Sequence, residues 1–517
     1  MIGSVPLEYA HLLERMAELA DLRSIGGLLS WDRSTMMPST GAEARGHQAA
    51  TLESIAHGRQ TDPEVGRLLD RLEPWAAQLD PDSDAARTVS IVRRDFERAV
   101  RVPESLAADM ARAESAGEQA WLSARAAGGD FSVFRDALAR HLELRRAYVG
   151  CFEGYDHPYD VLLEDYEQDL RVADLRPLLA ELQSALVPLV ASAADRRDGT
   201  ADVLRGAFPR ERQRALVLDL LRAVGFDDHS WRLDASPHPF ASAQSNADVR
   251  LTTVFDEQDL GVTLYSALHE FGHGLYEAQV DPAHARTPLG DLVSLGLHES
   301  QSRLWENVIG HSRPFCRWLV PRLASAFPDA FAGVDADALY AGINGVMPSP
   351  IRIFADETTY NLHILLRTEL ETRLMEGTLE VDGLPAAWNE GMQRLLGVEV
   401  ADDAHGVLQD IHWAVGSFGY FPTYTVGNLM AAQFWNALRL DLPEVDEELE
   451  RGDFVPLRAW LRDNVHRHGR KYSPRELLGK VTGEPLRVEP FVDYLSSKLV
   501  DVGAIAPDAV NARARIA

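Results

Sequence analysis

The sequence predicts a mainly α-helical protein with a small antiparallel β-sheet set into it. Two observations carry the helical part. Apolar residues recur at helical spacing, as at Leu12, Leu13, Met16, Leu19 and Leu22. The run from Glu211 to Val224 repeats the pattern and meets a glycine stop at Gly225. The third observation is a change of texture between about Ser230 and Gly261. There Pro237 and Pro239 interrupt helix, and Val249, Leu251 and Thr253 alternate with Arg250 and Thr252, as on a half-buried strand.

In chain order, residues 1–230 read as successive helices. Residues 231–440 hold the strands and the chemistry-bearing motifs, and residues 441–517 close the chain with further helix. Helix resumes at about Val262. No fixed-period repeat and no low-complexity tether divides these parts, so 1–517 is expected to act as one domain.

Composition excludes several classes of function. The net charge of -28 is the opposite of a nucleic-acid footprint and disfavours anionic membranes, so neither is an expected partner. No run of about 18 apolar residues is present. Met1 to Glu14 lacks the basic and apolar regions of a signal peptide, which makes the cytoplasm the expected address. Two cysteines, Cys151 and Cys316, allow one disulfide but no disulfide framework.

His269-Glu270-Phe271-Gly272-His273 matches H-E-x-x-H. Residues four apart on an α-helix share a face, so both imidazoles can point at one ion. Glu270 lies beside that face, within reach of a water held there, and is the expected general base. A catalytic zinc takes a third protein ligand and leaves one position open. Glu299 is the candidate, 26 residues past His273 on a second helix expected from about Gly290 to Ile309. Leu297, Ser300, Leu304 and Val308 form the core stripe of that helix, whereas Leu295, Glu299, Ser302 and Glu306 lie on another face.

These residues belong to an ordered set. His238-Pro239-Phe240, Asp248-Val249-Arg250-Leu251-Thr252, the H-E-x-x-H at 269 and His298-Glu299-Ser300-Gln301 come first. Ile351-Arg352-Ile353-Phe354-Ala355-Asp356 and the run from Gly406 to Trp413 follow. In this order they resemble the motifs of the carboxypeptidase Taq family of zinc metallocarboxypeptidases. Trp31-Asp32 and Met37-Pro38 also resemble a family segment, with Arg33 where glutamine is expected. The resemblance spans nearly the whole chain. It implies a large helical gluzincin-like fold with a deep central cleft, the small sheet beside the active site, and a homodimer.

It also implies roles. The activity would be removal of single residues from the free C-terminus of peptides, with broad specificity. The metal would be one zinc ion on His269, His273 and Glu299, with cobalt able to substitute. Glu270 would take the proton of the attacking water and pass it to the leaving amine. His412 and Tyr420, from the H-W-x6-Y pattern, are candidate oxyanion donors, with Tyr424 a rival that also lines the substrate. Arg352 is the first candidate for the terminal carboxylate, since a guanidinium binds one through two parallel hydrogen bonds. Arg250 is the second, and a salt bridge from Arg352 to Asp356 is the structural alternative. His238 is a candidate for substrate placement. Related enzymes carry an acidic residue four after the third ligand. Here Arg303 stands there, leaving Glu306 or Asp356 to orient the metal histidines. An endo-acting oligopeptidase with the same metal site is the alternative reading.

Overall fold

The computed structural model describes residues 5–194 and 203–507. Among them are twenty α-helices and one three-stranded sheet. The expected helices appear where the apolar stripes placed them. Leu7–Thr35 buries Leu12, Met16 and Leu19, and Arg210–Val224 ends at Gly225 with φ 127°. None of these helices is long and apolar enough to cross a membrane. Cys151 and Cys316 are both free.

The sheet differs from expectation in one respect. Its strands are β1 (Trp231–Ala235), β2 (Ala241–Ser245) and β3 (Asp248–Thr253), in spatial order β1-β3-β2. β2 pairs antiparallel with β3, but β1 pairs parallel with it, from Trp231 opposite Val249 to Ala235 opposite Thr253. The sheet is therefore mixed, not antiparallel. The chain leaves β1 through Ser236-Pro237-His238-Pro239, crosses to the far side of where β3 will lie, and returns through a tight turn. That leaves the centre of the sheet to β3, whose Val249 and Leu251 are fully buried.

Four helices build the site. The motif helix Leu260–Ala278 starts at Asp259, whose carboxylate accepts from the Val262 amide. The sheet packs on its outer side, where Val249, Leu251 and Trp231 crowd Gly274. The ligand helix Leu295–Arg303 is capped by Ser294 and runs into a π-helical turn, Leu304–Ile309. A buried helix, Glu357–Glu376, is capped by Asp356, which accepts from both the Thr358 and Thr359 amides, and stops at the left-handed Gly377. The fourth, Pro422–Asp441, is pre-set by proline at its first turn.

Two glycines set how closely these helices meet. A Cβ on Gly272, inside the H-E-x-x-H motif, would collide with the Gln301 carbonyl of the ligand helix. A Cβ on Gly427 would sit 2.9 Å from the Cβ of Glu299. Backbone-to-backbone contact at these two crossings brings the second-helix glutamate under the two histidines. Around it lie two large apolar clusters. One joins the sheet, the motif helix and the C-terminal helices. The other joins the buried helix to Leu182, Leu186 and Trp388.

Candidate active site

His269, His273 and Glu299 come together. Their ligand atoms lie within 4.8 Å of one another, and among the described residues they form the one such cluster able to hold a metal ion. Both Nε2 atoms lie 3.5 Å from the same Glu299 oxygen, Oε2. The donor set is two imidazole nitrogens and one carboxylate oxygen, with side chains 15%, 19% and 8% exposed for His273, His269 and Glu299. That is the chemistry of a borderline divalent ion with a side left open to solvent or substrate.

The surrounding contacts aim these groups. Nδ1 of His269 is 2.7 Å from Oε2 of Glu306, on the π-helical turn. A carboxylate there orients the ring and turns Nε2 toward Glu299, where it would be a ligand to an ion held at the site. Of the two candidates, Glu306 contacts a site histidine and Asp356 does not: the oxygens of Asp356 cap the buried helix and accept the Met347 amide. Arg303 bridges the two glutamates. Its Nε donates to Glu299 Oε1 at 2.7 Å and its Nη1 to Glu306 Oε2 at 3.2 Å. A cation therefore occupies the position where an acid was expected. It holds Glu299's outer oxygen, leaving Oε2 turned to the histidines. His273 has a different support. Its ring stacks on His298 at 4.3 Å, and His298 contacts Glu277 at 3.1 Å. Glu277 in turn accepts the Ala243 amide of β2, which ties the sheet to the site.

These charges set the protonation states. Burial lowers the pKa of His269, but Glu299 and Glu306 outweigh it and raise it to about 9. His273 is pushed down to about 3 by burial, with His298 adding to the effect. Burial opposes ionisation of Glu299, yet Arg303 and the histidines hold its carboxyl well below the usual range. Glu270, 5% exposed, is pushed up to about 7 by burial; Glu299 and Glu306 add to the rise and His269 opposes it. A carboxyl poised near neutrality both accepts and returns a proton.

His412, Tyr420 and Tyr424 form one half-buried group beside the ligand set. His412 Nε2 lies 3.2 Å from the Tyr424 hydroxyl, and its ring lies 5.0 Å from that of Tyr420. Burial lowers the pKa of His412 to about 4, so the ring is neutral at pH 7. The negative charge of Glu299 contributes to raising the pKa of both tyrosines, which places the two phenols within electrostatic reach of the ligand set. Tyr424 lies in the first turn of the helix whose Gly427 touches Glu299.

Arg352 is 7% exposed and is paired, but not with Asp356. Its Nε and Nη2 donate to Asp410 at 2.9 and 2.7 Å, and its Nη1 donates to the Tyr360 hydroxyl at 2.9 Å. Arg367 donates to the same Asp410 at 2.6 Å. Two guanidiniums share one carboxylate, so the group keeps a net positive charge. Three of the five N–H groups of Arg352 are engaged. Gln409 stitches the pair, its Oε1 accepting the Arg352 amide and Nη2 of Arg367. Arg250 lies on β3. It is bound side-on to Asp248 at 2.8 and 2.9 Å, and its guanidinium lies 4.4 Å from the Trp31 ring. His238 is exposed on the β1–β2 connection, and its carbonyl accepts the Ser236 hydroxyl.

Sequence reasoning passed over Tyr360, Asp410, Arg367 and Glu277. Asp410 lies inside a motif that drew attention to His412 instead. Tyr360 and Arg367 sit on a helix buried on all sides, whose sequence carries no periodic signal.

The chain matches the family described as Carboxypeptidase Taq (M32) metallopeptidase over residues 11–499. It is 42% identical over 501 residues to thermostable carboxypeptidase 1 of Thermus thermophilus, covering 95% of this chain and 98% of that protein. It is 36% identical over 493 residues to carboxypeptidase 1 of Bacillus subtilis, covering 95% and 97%. The crystal structure of a carboxypeptidase of the same family from Deinococcus radiodurans superposes with a TM-score of 0.92 at 38% identity, over 96% of this chain and 100% of that one. The chain belongs to the carboxypeptidase Taq family and is a metallocarboxypeptidase, a peptide hydrolase.

Proposed function

We propose that this enzyme removes single residues from the free C-terminus of peptides, with broad specificity, using one zinc ion on His269, His273 and Glu299. The observation that carries the reading is the convergence of those three ligand atoms within 4.8 Å beside a buried Glu270. An ion held there supplies Lewis-acid chemistry, lowering the pKa of a water and polarising the scissile carbonyl.

The chain's own residues do the rest. Glu270 takes a proton from the attacking water and returns it to the leaving amine. Tyr420 or Tyr424 donates to the oxyanion that develops on the scissile carbonyl, with His412 donating or holding Tyr424 in place. Arg352 receives the terminal carboxylate. The excess positive charge it shares with Arg367 and Asp410, and the N–H groups Asp410 and Tyr360 leave unused, support that role. Arg250 is the second candidate for carboxylate contact, and His238 for placing the peptide at the sheet side. The whole chain acts as one peptidase unit. On the family's example we assign a cytoplasmic homodimer, with cobalt able to replace zinc.

The test is digestion of one peptide as free acid and as C-terminal amide, followed by mass spectrometry, with Glu270→Gln as control. Stepwise loss from the free acid alone, absent in the variant, is expected. Internal cuts in both peptides would move the assignment to an endo-acting oligopeptidase and remove the role given to Arg352.

A further inference from the structure

We propose that Tyr360 is the positioning residue that joins recognition of the substrate's terminal carboxylate to the metal ligand set. The inference rests on the reading of Arg352 as the carboxylate-binding group. Tyr360 lies in the first turn of the buried helix and is 6% exposed. Its hydroxyl accepts from Nη1 of Arg352 at 2.9 Å. The face of its ring carries Arg303, whose Cζ lies 4.4 Å from the centroid. Its ring packs perpendicular to that of Tyr424, with centroids 6.1 Å apart and planes at 86°. Three groups given separate tasks therefore touch one phenol: Arg303 grips the metal ligand Glu299, Arg352 receives the carboxylate, and Tyr424 faces the oxyanion.

Asp410 fixes only the Nε–Nη2 side of Arg352. A guanidinium held on one side keeps freedom to swing about that contact. The Tyr360 hydroxyl holds the other side, at Nη1, so the guanidinium plane is fixed from both ends. Arg303 needs its own support, because it reaches both Glu299 and Glu306 only when its guanidinium lies flat between them. A buried aromatic face below it supplies that through a cation–π contact. One rigid side chain thus registers the carboxylate site against the metal site, and correct spacing between the two selects the bond one residue from the end.

Tyr360→Phe keeps the ring and removes the hydroxyl, while Tyr360→Leu removes both. Each is measured on free-acid and amidated peptides, alone and combined with Arg352→Gln. Zinc affinity is read separately by competition with a chelator. Tyr360→Phe is expected to raise KM for the free acid about tenfold, the scale of one lost hydrogen bond to a charged group, and to reduce the preference for acid over amide. It should add nothing where Arg352 is already Gln. Zinc affinity should stay unchanged in Tyr360→Phe and fall about tenfold in Tyr360→Leu, as for other groups that orient metal ligands. Equal losses with and without Arg352→Gln would overturn the coupling. So would an unaltered acid preference in Tyr360→Phe when Arg352→Gln abolishes it, or full zinc affinity in Tyr360→Leu. If Arg352→Gln itself leaves the acid preference intact, the carboxylate reading of Arg352 fails first, and the coupling falls with it.

Discussion

Glu270 and Glu306 are both glutamates beside His269, and their surroundings give them opposite work. Glu306 is half-buried, but Arg303 and His269 overcome the desolvation cost and keep its carboxyl below the usual range, so it remains an anion against the His269 ring. Glu270 lacks the arginine and has only His269 opposing, so burial drives it up to about 7, the range suited to exchanging a proton near neutral pH. Glu270→Gln should therefore lower kcat about 10²–10⁴-fold while metal content stays at one ion per chain, checked by steady-state kinetics beside elemental analysis. Glu306→Gln should instead weaken metal binding about 10–100-fold, read by chelator competition, with kcat largely recovered at saturating metal. At this scale the sequence pointed to the two histidines, because H-E-x-x-H is a local pattern tied to helical periodicity, and the structure brings them together with Glu299. The work of Arg303 was hidden: its role depends on Glu299 and Glu306 lying on either side of it, on a turn whose π-helical geometry no residue type announces.

At the scale of elements, the motif helix and the ligand helix depend on Gly272 for their approach. Gly272→Ala puts a methyl group into the Gln301 carbonyl and must push the two helices apart. A loss of about 1–3 kcal/mol in urea unfolding of the metal-free protein is expected, together with weaker metal binding. Gly58→Ala is the contrasting case. Gly58 lies in the helix Ala42–Gln60 with open space where its Cβ would fall, so alanine there should stabilise by up to about 1 kcal/mol. The same measurement therefore returns opposite signs for two helical glycines. Most elements were legible: the run of Leu297, Ser300, Leu304 and Val308 is buried as its stripe required. The start of that helix was set too early. Pro288–Gly290 forms a separate short turn, and Ser294 makes the cap. The parallel pairing of β1 with β3 was not legible either, because alternation fixes which face a residue takes but not which edge the next strand joins.

Across the whole molecule, the contacts that complete the site come from distant parts of the chain. Asp410 meets Arg352 58 positions away, and His466 lies between Gln279 and Gln301, 187 and 165 positions away. Motif order shows that such segments belong together but not which atom meets which. His466 also makes the fold sensitive to acid. It is fully buried, and burial lowers its pKa to about 3 from 6.5. The depressed folded-state value means its contribution is present above about pH 6.5. Below that the unfolded chain takes up the proton first, and stability declines towards pH 3. The change from pH 7 to pH 5 should be about 2 kcal/mol for this one group. Urea unfolding of the wild type and His466→Gln at both pH values checks it: the variant should show the shallower loss.

The most direct test of the account is metal titration of the stripped enzyme against release of the C-terminal residue from a free-acid peptide. The stripped wild type should be inactive and regain full rate at one zinc ion per chain, while His269→Ala and Glu299→Ala neither retain the ion nor recover. Full activity in the stripped protein, or a stoichiometric, activity-restoring ion in either variant, would contradict the assignment of His269, His273 and Glu299 as the catalytic metal site.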